Sequence, residues 1–138
     1  KSGGCYSNVG RQGSSYQDVS IGYGCDNFGT VAHEIGYAIG LYHTQSRPDR
    51  DAFVAVNIAN VPITVQHNFL KNRPEDESSF GVGFDYGSVM LYSQYAFAID
   101  AAVPTLMARD AWFQNTMGSG MGPHSQTSRS STRHTSAR

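Results

Sequence analysis

The sequence predicts a small α+β domain, and three observations carry that reading. Cys5-Tyr6-Ser7-Asn8-Val9 and Gln17-Asp18-Val19-Ser20-Ile21 each alternate in strand fashion on either side of a turn rich in Gly and Ser. Val31, Ile35, Ala38 and Ile39 recur at i, i+4, i+7 and i+8, the spacing of one helical face. Beyond residue 43 the chain is broken by Pro, Gly, Asn and Asp into short extended and turn-rich pieces. At 138 residues there is room for one domain with a modest core.

In chain order, residues 5–9 and 17–21 are expected to form a hairpin-like unit with Cys5 and Cys25 near its ends. A helix is expected over 27–39, capped by Asn27 or Thr30 and half-buried through its apolar stripe. Gly36 weakens that helix slightly. Gly40 comes where it should stop, because a residue without Cβ takes the left-handed conformation that turns the chain. Residues 53–56 read as a strand or extended segment and 61–69 as a short helix or an irregular stretch. Residues 71–80, carrying Lys71, Arg73, Pro74, Glu75, Asp76 and Glu77, read as a solvated loop. His67 lies outside any ligand spacing and reads as structural. Residues 123–138 hold no acid and no aliphatic residue larger than Ala. Such a Ser/Thr/Arg-rich tail cannot build a core and is expected to be disordered, which leaves 1–122 as the domain.

Composition excludes several classes of partner. Lys and Arg number 10 against 11 Asp and Glu, a net charge of −1 with no basic patch suited to nucleic acid. Apolar runs fall far short of the ~20 residues a membrane-spanning helix needs. The chain shows no secretory signal and opens on Lys1, so it is expected to start mid-molecule or after processing. Cys5 and Cys25 are its only cysteines, in no metal-like spacing. They are either one disulfide of an extracellular protein or two free buried thiols of a cytosolic one.

The chemistry is concentrated in residues 33–43, His-Glu-Ile-Gly-Tyr-Ala-Ile-Gly-Leu-Tyr-His. A His followed at once by Glu on a helix, a ligand position one turn later and a third beyond a glycine is the layout of a catalytic zinc site. Positions i and i+4 share a face, so His33 and residue 37 point the same way. Glu34 is rotated to reach a water on the metal rather than the metal itself. Gly40 then brings His43 back under the same ion.

This stretch resembles the metzincins, and the residues after it narrow the resemblance to the astacin zinc endopeptidases, with a nematode-like character. Thr44-Gln45-Ser46-Arg47-Pro48-Asp49-Arg50-Asp51 is similar to the family's run after the third ligand, except at Thr44, where the family has Glu. Arg47, Asp49, Arg50 and Asp51 are expected to brace the site through ion pairs. Ser88-Val89-Met90-Leu91-Tyr92 resembles the family's Met-turn, with Leu91 where His is more frequent. Gly4-Cys5-Tyr6-Ser7-Asn8-Val9-Gly10-Arg11 is similar to the family's substrate-binding edge strand.

The resemblance implies a metzincin, zincin-like fold: part of a twisted sheet with an edge strand, a zinc-site helix and an irregular C-terminal subdomain with a Met-turn. The family's first strands and helix, and its closing helix, have no counterpart in this sequence. It implies a secreted zinc metalloendopeptidase that hydrolyses internal peptide bonds of polypeptide substrates. His33 and His43 would be zinc ligands, Glu34 the general base and Tyr92 a donor to the tetrahedral intermediate. Met90 would floor the site, Cys5, Tyr6 and Ser7 would line an extended substrate, and Cys5 would pair with Cys25. Residue 37, where the family's second ligand His belongs, is Tyr. A phenol with a pKa of about 10 is a poor zinc ligand. With a full ligand set worth roughly 10–16 kcal/mol, an even share is about 3 kcal/mol, more than a hundredfold in affinity. The chain is therefore expected to be an impaired peptidase; the alternative is an inactive relative that binds peptides or proteins on its edge strand.

Overall fold

The computed structural model describes residues 3–77, 79 and 81–121. The tail over 123–138 lies outside the described residues, as do Ser78 and Phe80 of the expected loop. Strand β1 (Cys5–Ser7) pairs antiparallel with β2 (Val19–Ile21), with Cys5 opposite Ile21 and Ser7 opposite Val19. Both are shorter than their alternating patterns, and at the end of β1 the backbone groups bond elsewhere. Gln12 donates to the carbonyls of Val9 and Gly10 at 2.8 and 3.1 Å, and the Gly10 N–H goes to Tyr37 O at 2.8 Å. Those groups are drawn out of the ladder and onto the helix end. Cys5 and Cys25 form a disulfide across this unit.

Helix α1 (Phe28–Ala38) starts at Asn27, whose side chain accepts from the Thr30 N–H at 2.9 Å, so Asn27 rather than Thr30 is the cap. It ends in a Schellman-type turn. Gly40 N–H bonds Tyr37 O at 2.8 Å and Leu41 N–H bonds Gly36 O at 2.9 Å, with Gly40 at φ +100°. The expected buried stripe is corrected: Ile35 is 50% and Ile39 72% exposed. The buried face instead carries Gly29, Thr30, His33, Glu34, Gly36 and Tyr37. Periodicity reports that a helix has two faces; it does not say which one meets the body of the molecule.

Strand β3 (Val54–Val56) pairs antiparallel with β4 (Leu106–Ala108), joining segments about fifty residues apart. Single-turn 3-10 segments connect the rest, including Thr44–Ser46, Arg50–Ala52 and Ser119–Met121, and the stretch expected as a short helix or irregular is a longer 3-10 run, Ile63–Phe69. The core lies between these pieces: Val54, Val61, Phe69, Leu91, Leu106 and Met117 are buried together. Leu91 is 1% exposed, so an apolar residue there serves the core.

Charged side chains brace the segment after the helix as expected. Arg47 holds Asp49 through two bonds of 2.9 and 2.8 Å and donates to Val82 and Gly83 carbonyls. Arg50 donates to the carbonyls of Gln45 and Phe69 at 2.8 and 2.6 Å, while Asp51 takes Arg50 at 3.0 Å and Lys71 at 2.6 Å. Two guanidinium groups thus satisfy carbonyls that no strand or helix ladder reaches.

Candidate active site

The buried face of α1 sets the first two groups. His33 is 5% and Glu34 2% exposed, one position apart on the helix. The His33 Nδ1–H donates to Val89 O at 2.8 Å. A carbonyl can only accept, so the proton sits on Nδ1 and the lone pair is left on Nε2, directed away from Val89. A backbone acceptor on the far ring nitrogen is the arrangement that orients a metal-binding imidazole.

The Gly40 turn returns the chain so that His43 faces α1. Ring centroids of His33 and His43 are 5.2 Å apart, and Tyr92 lies 4.4 Å from His43. Burial first, and the nearby His33 second, push the His43 imidazole well below its ordinary pKa. At neutral pH it is an uncharged acceptor. The Tyr37 hydroxyl lies 2.5 Å from its Nε2 and 3.2 Å from its Nδ1, distances that put it against the ring and off the line of the Nε2 lone pair. Tyr37 is 6% exposed and also meets His33 edge-on at 4.7 Å between centroids. The fold therefore brings His33, Tyr37, His43 and Tyr92 to one place, with Glu34 buried next to His33 in the helix and the Tyr37 hydroxyl against the His43 ring.

Below them runs the turn over residues 88–92. Ser88 Oγ accepts from the Met90 N–H at 3.1 Å, and the Thr44 N–H donates to Met90 O at 3.0 Å. Met90 is 3% exposed, and its Sδ would lie 2.6 Å from a Cβ placed on Gly36. A side chain at position 36 would oblige Met90 to shift. A glycine interrupting a helical pattern signals such a close approach, and the sequence carried that signal. Val89 and Gln45 are positioning groups that spacing does not reveal. Val89 acts through its carbonyl, and Gln45 Oε1 accepts from the Tyr92 N–H at 3.3 Å. Tyr92 is further held between Phe69 and Phe97, the latter a non-glycine residue at φ +58°.

Of the other expected site residues, Cys5 is bonded to Cys25, Tyr6 is 47% exposed and Ser7 is buried. Among the described residues β1 carries no strand on the side away from β2. Those residues also gather no group of three or more His, Cys, Asp or Glu side chains that could hold a metal ion. The donor set fits zinc at two positions, His33 and His43, and not at the third.

The sequence has relatives among known proteins. The chain is 45% identical over 122 residues to zinc metalloproteinase nas-28 of Caenorhabditis elegans, a match covering 88% of this chain and 24% of that protein. It is 44% identical over 115 residues to blastula protease 10 of Paracentrotus lividus, covering 83% of this chain and 19% of that one. The chain thus spans a quarter or less of the curated relatives it matches. Its structure is similar to that of high choriolytic enzyme 1, a hatching enzyme zinc-protease from the medaka fish Oryzias latipes. The TM-score is 0.74 at 31% identity, over 91% of this chain and 59% of that one. The fold is therefore the mixed helix-and-sheet fold of an astacin-like zinc protease. With residues 1–131 matching the sequence model of the Astacin peptidase family, the chain belongs to the astacins, a family of zinc metalloproteinases with zinc as cofactor.

Proposed function

We propose that this chain is the cleft-bearing part of a secreted, astacin-type zinc metalloendopeptidase whose centre is weakened by Tyr37. The observation that supports the reading is a tyrosine at position 37, its hydroxyl 2.5 Å from His43 Nε2, beside His33 and Tyr92. His33 and His43 would hold the metal. When bound, zinc would supply Lewis-acid chemistry toward the scissile carbonyl. Glu34 would take a proton from the attacking water and return it to the leaving amine nitrogen. The Tyr92 hydroxyl donates to the oxygen on which negative charge develops. Met90 floors the site as a Met-turn residue, and an extended polypeptide substrate adds to β1 along Cys5, Tyr6 and Ser7. The Cys5–Cys25 disulfide supports an extracellular setting. No helix among the described residues is long and apolar enough to cross a membrane. The domain runs to about residue 122.

A calorimetric zinc titration of this chain and of Tyr37→His tests the reading. The chain is expected to bind weakly, and Tyr37→His about a hundredfold more tightly, with hydrolysis of an unstructured protein substrate appearing in the zinc-loaded variant. Tight binding by the unsubstituted chain, or none by either, overturns it. A second reading, a non-catalytic peptide binder, is supported by the side of β1 on which the described residues place no strand. It predicts peptide binding that chelator leaves unchanged in both proteins.

A further inference from the structure

We infer that the segment from Gly118 to Met121 is a positioning strap for His33, acting through the Val89 carbonyl. The inference adds positioning residues to the site proposed above and rests on that reading only for the use made of His33. Met117 and Met121, 4% and 8% exposed, anchor the two ends of the segment. Between them the backbone threads a gap too narrow for a side chain.

Close approaches define the gap. On one side is the first turn of α1, where a Cβ on Gly29 would run into Gly120 O and come within 2.7 Å of Met121 Cα. On the other is the turn before Met90, where a Cβ on Gly120 would lie 2.7 Å from Gly87 O, 2.9 Å from Val89 N and 3.0 Å from Val89 Cα. Neither Gly29 nor Gly120 has a positive φ, so conformation does not account for glycine at either place. Helix propensity alone would favour alanine at Gly29. What remains is room for a neighbouring backbone, and backbone atoms, unlike the end of a methionine side chain, cannot swing aside.

The same contacts reach the site. Gly29 and His33 are four residues apart and share the buried face of α1. Gly29 faces the strap, the strap abuts Val89, and Val89 O accepts from His33 Nδ1 at 2.8 Å. The path leaves α1 at one turn and returns to it at the next. Backed by the strap, the carbonyl has a fixed place from which to take the Nδ1 proton, which leaves Nε2 as the acceptor nitrogen of the ring. Moving the strap moves that acceptor.

The experiment reads the His33 tautomer in metal-free, nitrogen-15-labelled chain by long-range proton–nitrogen NMR near pH 8, where an imidazole of ordinary pKa, about 6.5, is neutral. A His33→Gln spectrum assigns its signals among the five histidines. The unsubstituted chain is expected to show the Nδ1–H form. Gly120→Ala pushes Val89 away from the strap and Gly29→Ala pushes the strap toward Val89; each is expected to lower the ratio of the Nδ1–H to the Nε2–H form about fivefold. Val54→Ala, a cavity in the core, is expected to lower the melting temperature and leave the ratio unchanged, which separates positioning from a general loss of stability. If neither glycine variant folds, Met121→Ala decides, since it frees the end of the strap without adding an atom; it is expected to shift the ratio the same way, about twofold. An unchanged ratio in the strap variants that fold overturns the inference, as does an equal shift in Val54→Ala or an unsubstituted chain in the Nε2–H form. The tautomer is read without metal, so a failure of zinc to bind refutes the peptidase reading and leaves the strap as it stands.

Discussion

Gly36 and residue 37 show how much a single position can carry. By helix propensity alone, Gly36→Ala would stabilise α1 by about 1 kcal/mol. The new Cβ would meet Met90 Sδ at 2.6 Å inside a buried contact, so the expected outcome is a net loss of about 1 kcal/mol in urea unfolding. A gain would mean that Met90 moves aside freely. That His33 and His43 would meet was legible in the sequence, because helical spacing and a glycine stop are both written in one dimension. Asn27 was legible as a candidate cap for the same local reason. The motif puts residue 37 and His43 near one another, but the packing of the phenol against the imidazole depends on the turn at Gly40 and was not legible. The close approach at Gly36 was visible only as an anomaly.

Among the elements, the strand unit and α1 were readable and β4 was not. Leu106-Met107-Ala108 shows no alternation, and its role comes from pairing with β3, a contact between distant segments. The helix was placed to within a residue at each end, yet its buried face was misassigned because the polar face is the one that meets the 88–92 turn. The segment after the helix makes its own prediction. The hydrogen bond from Arg47, helped by the same charge, holds the Asp49 carboxyl below its usual range. A depressed folded-state pKa stabilises above the unfolded value, near 4, and that contribution fades as pH falls through the folded value. Asp49→Asn should therefore flatten the acid limb of stability below about pH 4 and cost under ~1 kcal/mol at neutral pH, since the carboxylate is half exposed and screened. An unchanged acid limb would show that the clamp does not contribute.

For the whole molecule, the described residues form a core on one side of α1 and leave Phe28, Ile35 and Ile39 outward, at 86%, 50% and 72% exposure. Contiguous exposed apolar surface favours association. Replacing Ile35 and Ile39 together with Lys should leave unfolding free energy within about 0.5 kcal/mol. Sedimentation should show less concentration-dependent self-association; a large loss of stability would instead mean that the stripe packs within the folded chain. The Cys5–Cys25 bridge works in the opposite direction. A link across 20 residues removes about 3 kcal/mol of denatured-state freedom from the β1–β2 unit. Much of the ordering of β1 is thus completed when the thiols are oxidised. A strand arriving on its open side gives up its own disorder and meets a template that has little left to lose.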